Sequence, residues 1–391
     1  MNANYIKELL SEELIALFSH IQANKGTKAF KHYNQNLIKI NNSLNSQLFN
    51  DEYNESLYKT LKNEYNRPVP FPAPVNPKFT FIDLFAGIGG FRIAMQSLGG
   101  KSIFSSEWNI AAKKTFLANY GEVPFGDITS EQTKSFIPEN FDILCGGFPC
   151  QAFSIAGARK GFEDSRGTLF FDVEQIISTH RPKVFLLENV KNLISHDSGN
   201  TFQTIKNILS KKLGYVLYHK VMNTMDYTNI PQNRERIFLV GFDPVQVTRF
   251  SDFQFPAKIS LTKGISDMLI DEKHNDKYYY HETHPYYHEL NQTIDSRDTV
   301  YQWRRVYVRA NKSNVCPTLT ANMGTGGHNV PLIRDDFGIR KLTPRECFNF
   351  QGFPQEFILP EIADSKVYMQ AGNSVTVPLI HRIGEEILKI L

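Results

Sequence analysis

The sequence predicts a mainly parallel α/β sheet with helices on both faces, followed by a β-leaning region and preceded by a helical extension. Three observations carry this reading. From Phe79 to Val240, short apolar runs alternate with stretches of helical periodicity, the rhythm of successive β-α-β units. From Phe253 to Asp336 that rhythm stops. Before residue 67 the texture differs again, rich in Asn, Lys and Glu and nearly free of Gly.

In the extension, Leu9, Leu10, Leu14, Ile15, Leu17 and Phe18 recur at helical spacing, and Ser11 with Glu12 and Glu13 mark a helix start. Further helices are expected over 28–40 and 44–61. No helix-turn-helix pattern is clear, which favours a docking or packing role over DNA binding or regulation. Pro68, Pro70, Pro72, Pro74 and Pro77 follow; they cannot continue a helix and favour an extended, semi-rigid spacer. Strands are expected over 79–84, 102–107, 141–145, 184–187, 215–222 and 236–240. Helices are expected over 88–98, 109–119, 168–179 and 201–213. Beyond residue 253, Tyr278-Tyr279-Tyr280-His281, Tyr286-Tyr287-His288 and Tyr301-Gln302-Trp303-Arg304-Arg305 mix aromatic with polar groups. The stretches 342–350 and 366–391 are helical again, the second interrupted by a turn at Gly372-Asn373-Ser374. The expected domains are therefore 1–66, a linker at 67–77, 78–252, 253–336, and 337–391 completing the larger domain.

Bulk properties narrow the setting. A chain of 391 residues is long enough for two or three domains and a large core. The net charge of +3 is too small to prove a nucleic-acid partner, so any basic surface must come from local clustering. Cys145, Cys150, Cys316 and Cys347 form no Cys-x-x-Cys pair and no plausible disulfide framework, which suggests a reducing cytoplasm. The first residues lack the apolar core of a signal peptide, and no uncharged run approaches membrane-spanning length. A soluble cytoplasmic protein with no membrane partner is expected.

The chemistry gathers at strand ends. Asp83-Leu84-Phe85-Ala86-Gly87-Ile88-Gly89-Gly90 joins a strand to a helix. Glycines there let backbone approach a ligand, and helix N-terminal N–H groups favour an anionic group such as a carboxylate. The spacing is neither the dinucleotide G-x-G-x-x-G nor a Walker A loop. The next strand ends in Glu107-Trp108, where an acid commonly grips ribose hydroxyls and an indole can stack on a base. Asp127 can accept from an adenine amino group. Singly, each acid reads as a solvated or capping residue; in this order they describe an adenosine-bearing cofactor.

Gly147-Phe148-Pro149-Cys150-Gln151 closes the strand at 141–145, so Cys150 should sit on a loop at a carboxyl strand end, where open α/β sheets bind ligands. A thiol there is either a small inert hydrophobe or a nucleophile, if its pKa is lowered. Glu188-Asn189-Val190 ends the apolar run at 184–187; its carboxylate is either a helix cap or a partly desolvated acid able to hold a proton. In Gln232-Asn233-Arg234-Glu235-Arg236, one arginine can pair with Glu235 while a second binds a carbonyl or phosphate oxygen.

Taken in order, the segments at 83–90, 147–151, 188–190, 232–236 and 372–374 resemble the motifs of the bacterial DNA cytosine-5 methyltransferases of type II restriction–modification systems. The resemblance covers residues 79 to 391 with no departure at the catalytic positions. Gly161-Phe162-Glu163-Asp164-Ser165-Arg166-Gly167-Thr168-Leu169-Phe170 is similar to the same enzymes. The family implies a Rossmann-like S-adenosyl-L-methionine-dependent domain, a small β-rich target-recognition domain and a C-terminal helix returning to the large domain.

It also implies roles. Cys150 would add to cytosine C6, making C5 nucleophilic. Glu188 would hydrogen-bond the N3 and N4 edge, and Arg236, with Arg234, would hold the base carbonyl. The base must be flipped out of the duplex first. Phe85, Gly87, Gly89, Gly90, Glu107, Trp108, Asp127, Pro149, Leu169 and Asn373 would line the cofactor. The 151–167 loop would close over double-stranded DNA, with Ser154, Arg159, Lys160 and Arg166 on its backbone. Target reading would fall to Arg304, Arg305 and Arg309 and to the Thr318-Leu319 pair. His281, His284 and His288 have a spacing that suits a metal but lack cysteine or acidic ligands on a clear scaffold, so no metal is expected. A monomer is expected, paired in function with a restriction endonuclease but in no stable complex with it. The competing readings are an RNA cytosine-5 methyltransferase, against which the long 253–336 region argues, and a transcriptional regulator acting through the extension.

Overall fold

The computed structural model describes residues 12–25, 27–43, 68–149, 169–304, 307–311, 313–325 and 330–391. The helix expected over 44–61 lies outside them, as do Cys150 and the loop after it. By its contacts the chain divides into two units, each discontinuous in sequence. The first runs to Lys220 and takes in Ile237–Phe253 and Ile387–Leu391; the second comprises Val221–Arg236 and Gln254–Glu386. A linear reading of domains does not draw this division, because it follows a chain that leaves the sheet on one strand and re-enters on another.

The first unit opens with two helices, α1 (Glu12–Ala23) and α2 (Lys28–Ser43). Leu14, Leu17, Phe18 and Ile21 form the buried stripe of α1, the spacing of one helical face. The proline-rich stretch is anchored at Phe71, whose N–H donates to the Asn119 carbonyl at 3.1 Å. Gln96 Nε2 donates to the carbonyls of Phe71 and Pro72 at 3.1 and 2.8 Å. Extended, proline-rich backbone leaves its carbonyls available to such side chains.

There follow β1 (Phe79–Leu84), α3 (Gly90–Ser97), β2 (Gly100–Ser106), α4 (Ile110–Tyr120), α5 (Glu131–Ser135), β3 (Ile143–Gly147), α6 (Leu169–His180), β4 (Val184–Val190) and α7 (Asn200–Asn207). A π-helical turn, Ile208–Lys212, continues α7. Next come β5 (Val216–Asn223), α8 (Thr224–Tyr227), β6 (Gln232–Asn233) and β7 (Glu235–Phe242). The strand order is β2-β1-β3-β4-β7-β5, and β2, β1, β3 and β4 are mutually parallel. These strands are buried almost throughout, as expected of a parallel sheet covered on both faces. Helix α3 starts later than the hydrophobic pattern predicts because Gly87 and Gly89 have φ of +56° and +84°. Asn109 caps α4 by accepting the Ala112 N–H, and left-handed Gly121 ends it.

The second unit carries β8 (Tyr279–Tyr280), α9 (Tyr287–Thr293), β9 (Tyr301–Arg304), β10 (Tyr307–Ala310), β11 (Cys316–Pro317), β12 (Leu332–Arg334) and β13 (Ile339–Lys341). Helices α10 (Pro344–Asn349) and α11 (Asp364–Asn373) follow, and α12 (Val377–Leu388) runs on past Glu386 into residues of the first unit. Five strands form a sheet in the order β10-β9-β12-β13-β8 over a core of Leu290, Ile294, Tyr301, Val308, Leu332 and Ile339. Beneath it Arg340 is fully buried. Its Nη1 and Nη2 donate to the two Glu346 oxygens at 2.7 and 2.8 Å, and its Nε donates to Asp335 Oδ2 at 2.5 Å. Glu346 also completes a capping box with Thr343 at the start of α10.

Candidate functional site

The chain passes from β1 to β2 on one side and later to β3 on the other, so the carboxyl ends of β1 and β3 flank a topological switch point. Leu84 lies in register with Gly146, and Gly147 with Glu188. A Cβ on Gly147 would stand 3.6 Å from Glu188 Oε2, and one on Gly146 would stand 3.4 Å from the Leu84 carbonyl. Both are ordinary contact distances, so it is the strand register that sets Gly147 beside the β4 acid. Glu188 is 9% exposed. Asn189, to which the sequence gives no role of its own, donates from Nδ2 to the Phe148 carbonyl at 2.9 Å. This ties β4 to the backbone just before Pro149 and Cys150.

The Gly-rich turn is strained and closely packed. Phe85 has a left-handed φ of 57°, a conformation a non-glycine residue adopts at a cost and often at ligand sites. The Tyr120 hydroxyl donates to the Gly89 carbonyl at 2.8 Å. A Cβ on Gly89 would fall 2.4 Å from the Tyr120 ring, so only glycine fits there. Gly89 is the N-cap of α3 and provides no side-chain cap, leaving opening N–H groups suited to a carboxylate.

Glu107 stands just past β2, and Asp127 in the irregular segment between α4 and α5. Glu107 accepts from the Gly87 N–H at 2.8 Å and from the Asn109 N–H at 2.7 Å. Burial pushes its carboxyl pKa up, against the backbone N–H groups that hold it down. Trp108 is 76% exposed. Asp127 is exposed and accepts the Thr129 N–H on Oδ1 at 2.9 Å. Leu169 opens α6, half-buried. A helix N-terminus, two acids and an exposed indole along one strand edge form a donor and acceptor set that fits an adenosyl amino acid.

Beneath the turn lies a group that the sequence shows only as part of its motif. Asp83 is fully buried, and neither carboxyl oxygen has a hydrogen-bond partner among the described residues. Burial pushes its pKa up to about 8, with the Arg92 charge drawing it down and Glu107 adding to the rise. Arg92 is itself buried, 4.7 Å over the Tyr120 ring, and donates from Nη2 to Glu122 Oε1 at 2.5 Å.

In the second unit, β11 pairs in parallel with β6 and so holds Thr318-Leu319 against Asn233 and Arg234. The Thr318 hydroxyl donates to the Asn233 carbonyl at 2.6 Å. Leu319 is fully buried. Arg234, 2% exposed, donates to the carbonyls of Leu319, Gly372 and Ser374 at 2.9, 3.2 and 2.6 Å. This framework use differs from the base-holding one expected of it. Arg236 is half-buried and donates from Nη1 to the Glu235 carbonyl at 2.8 Å. Asn373 is exposed at the end of α11. A Cβ on Gly372 would collide with Thr320 backbone at 2.1 Å, a packing reason for glycine there.

Hairpin β9–β10 opposes Arg304 to Tyr307 and Gln302 to Arg309. Directly opposed residues share a face, and here Arg304, Tyr307 and Arg309 are exposed while Tyr301 and Val308 on the other face are buried. Arg304 Nη2 donates to Gln302 Oε1 at 3.0 Å. His284 packs edge-on against Tyr280. Cys150, Ser154, Arg159, Lys160, Arg166 and Arg305 lie outside the described residues. Among the described cysteines, Cys145, Cys316 and Cys347 are buried free thiols, and burial pushes all three well above the usual range.

The model of the C-5 cytosine-specific DNA methylases matches residues 79–389. The type II methyltransferase M.Bsp6I of Bacillus sp. (strain RFL6) is 50% identical over 311 residues, which cover 78% of this chain and 97% of that protein. M.HpaII of Haemophilus parainfluenzae is 45% identical over 354 residues, covering 87% and 98%. M.HhaI of Haemophilus parahaemolyticus is 40% identical over 334 residues, covering 78% and 93%. Among solved structures, the S. pombe Dnmt2 methyltransferase aligns with a TM-score of 0.60 at 18% identity, covering 80% of this chain and 98% of that one. At that identity the match shows a shared fold.

Proposed function

The chain belongs to the C-5 cytosine-specific DNA methylases, and from that premise we propose that it methylates C5 of a flipped-out cytosine in a short specific duplex sequence, protecting DNA from a cognate restriction endonuclease. It is a DNA cytosine-5-methyltransferase with type II methyltransferases as relatives. The observation that carries the fuller reading is the register of Gly147 with Glu188. It supports an acid held beside Gly147 at the strand end that leads into Cys150.

S-adenosyl-L-methionine would supply the electrophilic methyl group. The chain's own residues do the rest. The open N–H groups at the start of α3 take the carboxylate end, Glu107 the ribose hydroxyls, Asp127 the adenine amine, and Phe85 and Trp108 the ring faces. Gly87, Gly90, Pro149, Leu169 and Asn373 complete the lining. Cys150 adds as thiolate to C6, so that C5 becomes enamine-like; loss of the C5 proton after methyl transfer allows elimination and frees the thiol. Glu188 hydrogen-bonds the N3 and N4 edge as charge develops. Arg236 holds the base carbonyl, a task for which the framework bonds of Arg234 leave it the better candidate.

DNA contact falls to the 151–167 loop, to the exposed hairpin face of Gln302, Arg304, Tyr307 and Arg309, and to Arg305. Guanidinium groups beside a carboxamide and a phenol suit phosphates and base edges alike. No helix among the described residues is long and apolar enough to cross a membrane. The proposed enzyme acts in the cytoplasm as a monomer and forms no stable complex with its endonuclease.

The test is expression in a host that lacks DNA methylation, followed by single-base methylation sequencing beside a Cys150→Ser control. The expected result is 5-methylcytosine at one short motif, absent from the control. Soluble, cofactor-binding protein that leaves DNA unmodified but methylates RNA would overturn the reading.

A further inference from the structure

The N-terminal helices meet the segment between α4 and Asp127 at successive residues. Ser19 Oγ accepts the Val123 N–H at 3.0 Å. His20, 0% exposed, donates from Nδ1 to the Ala16 carbonyl at 2.9 Å, which turns Nε2 toward Glu122 Oε2 at 3.8 Å. The same ring lies 4.6 Å from Phe125. Tyr33 of α2 stacks on Phe125 from 6.0 Å and donates its hydroxyl to the Ile103 carbonyl of β2. A Cβ on Gly126 would fall 2.7 Å from Glu13 Oε1, so α1 also covers that residue.

What this segment holds explains why the contact matters. Phe125 is fully buried between Phe104 and Phe136, at 5.1 and 4.8 Å. Its N–H donates to the Ser105 carbonyl, and its carbonyl accepts the Glu107 N–H at 2.9 Å. Asp127 comes two residues later. One short stretch of chain therefore sets the backbone of both acids. Apart from a single β-bridge between Ser106 and Phe125, it has no regular structure of its own to hold it.

We propose that His20 and Ser19 are positioning residues: through Val123 and Phe125 the N-terminal helices brace Glu107 and Asp127 for cofactor binding. The brace rests on the reading of these two acids as cofactor contacts. Its physical basis is preorganisation, since a site whose supports are already ordered spends less of its binding energy on ordering them. Helices that the sequence leaves as an appendage thereby become part of the cofactor half.

The experiment measures S-adenosyl-L-methionine binding by calorimetry on the full chain. His20→Phe removes the Nδ1 bond to the Ala16 carbonyl that sets the ring against Phe125; Ser19→Ala removes the bond to Val123 and is the milder variant. Glu107→Ala and Asp127→Ala report on the acids themselves. The expected result is a cofactor Kd raised roughly five- to twentyfold in His20→Phe and roughly threefold in Ser19→Ala, with KM for DNA within about twofold of the parent. A cofactor Kd unchanged in both brace variants, while the two acid variants weaken binding, overturns the brace and leaves the cofactor reading standing. A fall in melting temperature with no change in cofactor Kd overturns it equally. Acid variants that bind as the parent does overturn the cofactor reading, and the brace with it.

Discussion

Each unit buries an arginine against a glutamate, and the two pairs are built differently. In the second unit every nitrogen of the Arg340 guanidinium donates, and Glu346 accepts from Arg340, Thr343 and the Ile270 N–H. In the first unit Arg92 meets Glu122 through one short bond. Arg92 Nη1, Glu122 Oε2, His20 Nε2 and both oxygens of nearby Asp83 have no hydrogen-bond partner among the described residues. The first pair lies under the Gly-rich turn, whereas the second lies under a sheet and a helix cap. A buried charge pair serves as a rivet when its capacity is saturated. One left partly unsatisfied costs stability, a pattern found where function sets the arrangement.

The same substitution in both pairs tests this most directly. Glu346→Gln strands a fully bonded Arg340 and should cost about 3–5 kcal/mol in urea unfolding. Glu122→Gln should cost less, about 1.5–3 kcal/mol, because Arg92 keeps its seat over the Tyr120 and Phe116 rings. Equal losses would dissolve the distinction. Smaller still is the cap: Thr343→Ala should lose about 1 kcal/mol in the same assay, and a neutral result would mean that Glu346 needs no help from the start of α10.

Titration sharpens the contrast further. Asp83 ionises at about 8 in the folded chain against an ordinary 3.8. Between those values the folded state keeps a proton that the unfolded state has lost, so stability falls as pH rises through that window. Asp83→Asn should flatten the decline, read as melting temperatures at pH 5 and pH 8. His20 acts in the opposite sense. Burial lowers its pKa below 6.5 despite Glu122, so as pH drops past 6.5 the unfolded chain takes up the proton first and stability falls. His20→Phe should remove that acid-side loss, and a profile identical to the parent's would show that the ring titrates normally.

The strands are the most legible feature of the sequence. Strand β1 matches its expected bounds, Phe79–Leu84, because prolines precede it and glycines follow. Burial makes β2, β3 and β4 readable as apolar runs, with ends shifted by up to three residues. The start of α3 escapes because periodicity does not register a left-handed glycine. At the site, short motifs name Glu107 and Glu188, since an acid at a strand end is a local signal; Asp127, in an irregular segment, is named only by its order after Glu107. What escapes depends on partners far along the chain. Nothing near His20 announces Glu122, and a buried histidine on an apolar helix face reads as core. Nor does anything near Leu319 announce that its carbonyl accepts from Arg234, 85 residues away in sequence. Asn189 carries a usable signal, its place beside Glu188, but its tether to Phe148 requires the fold.

The discontinuity of the first unit has a consequence for how the polypeptide is made. One of its pieces, Ile387–Leu391, includes the buried Ile387 and Ile390 and leaves the ribosome only after the second unit. Synthesis proceeds from the N-terminus, and domains tend to fold as units. The first unit must therefore wait, nearly complete, while the whole second unit is translated. Its exposed apolar surface during that interval is a liability for aggregation. A chain cut just before Ile387 would lose little of the sequence yet leave the earliest-made part of the enzyme unfinished.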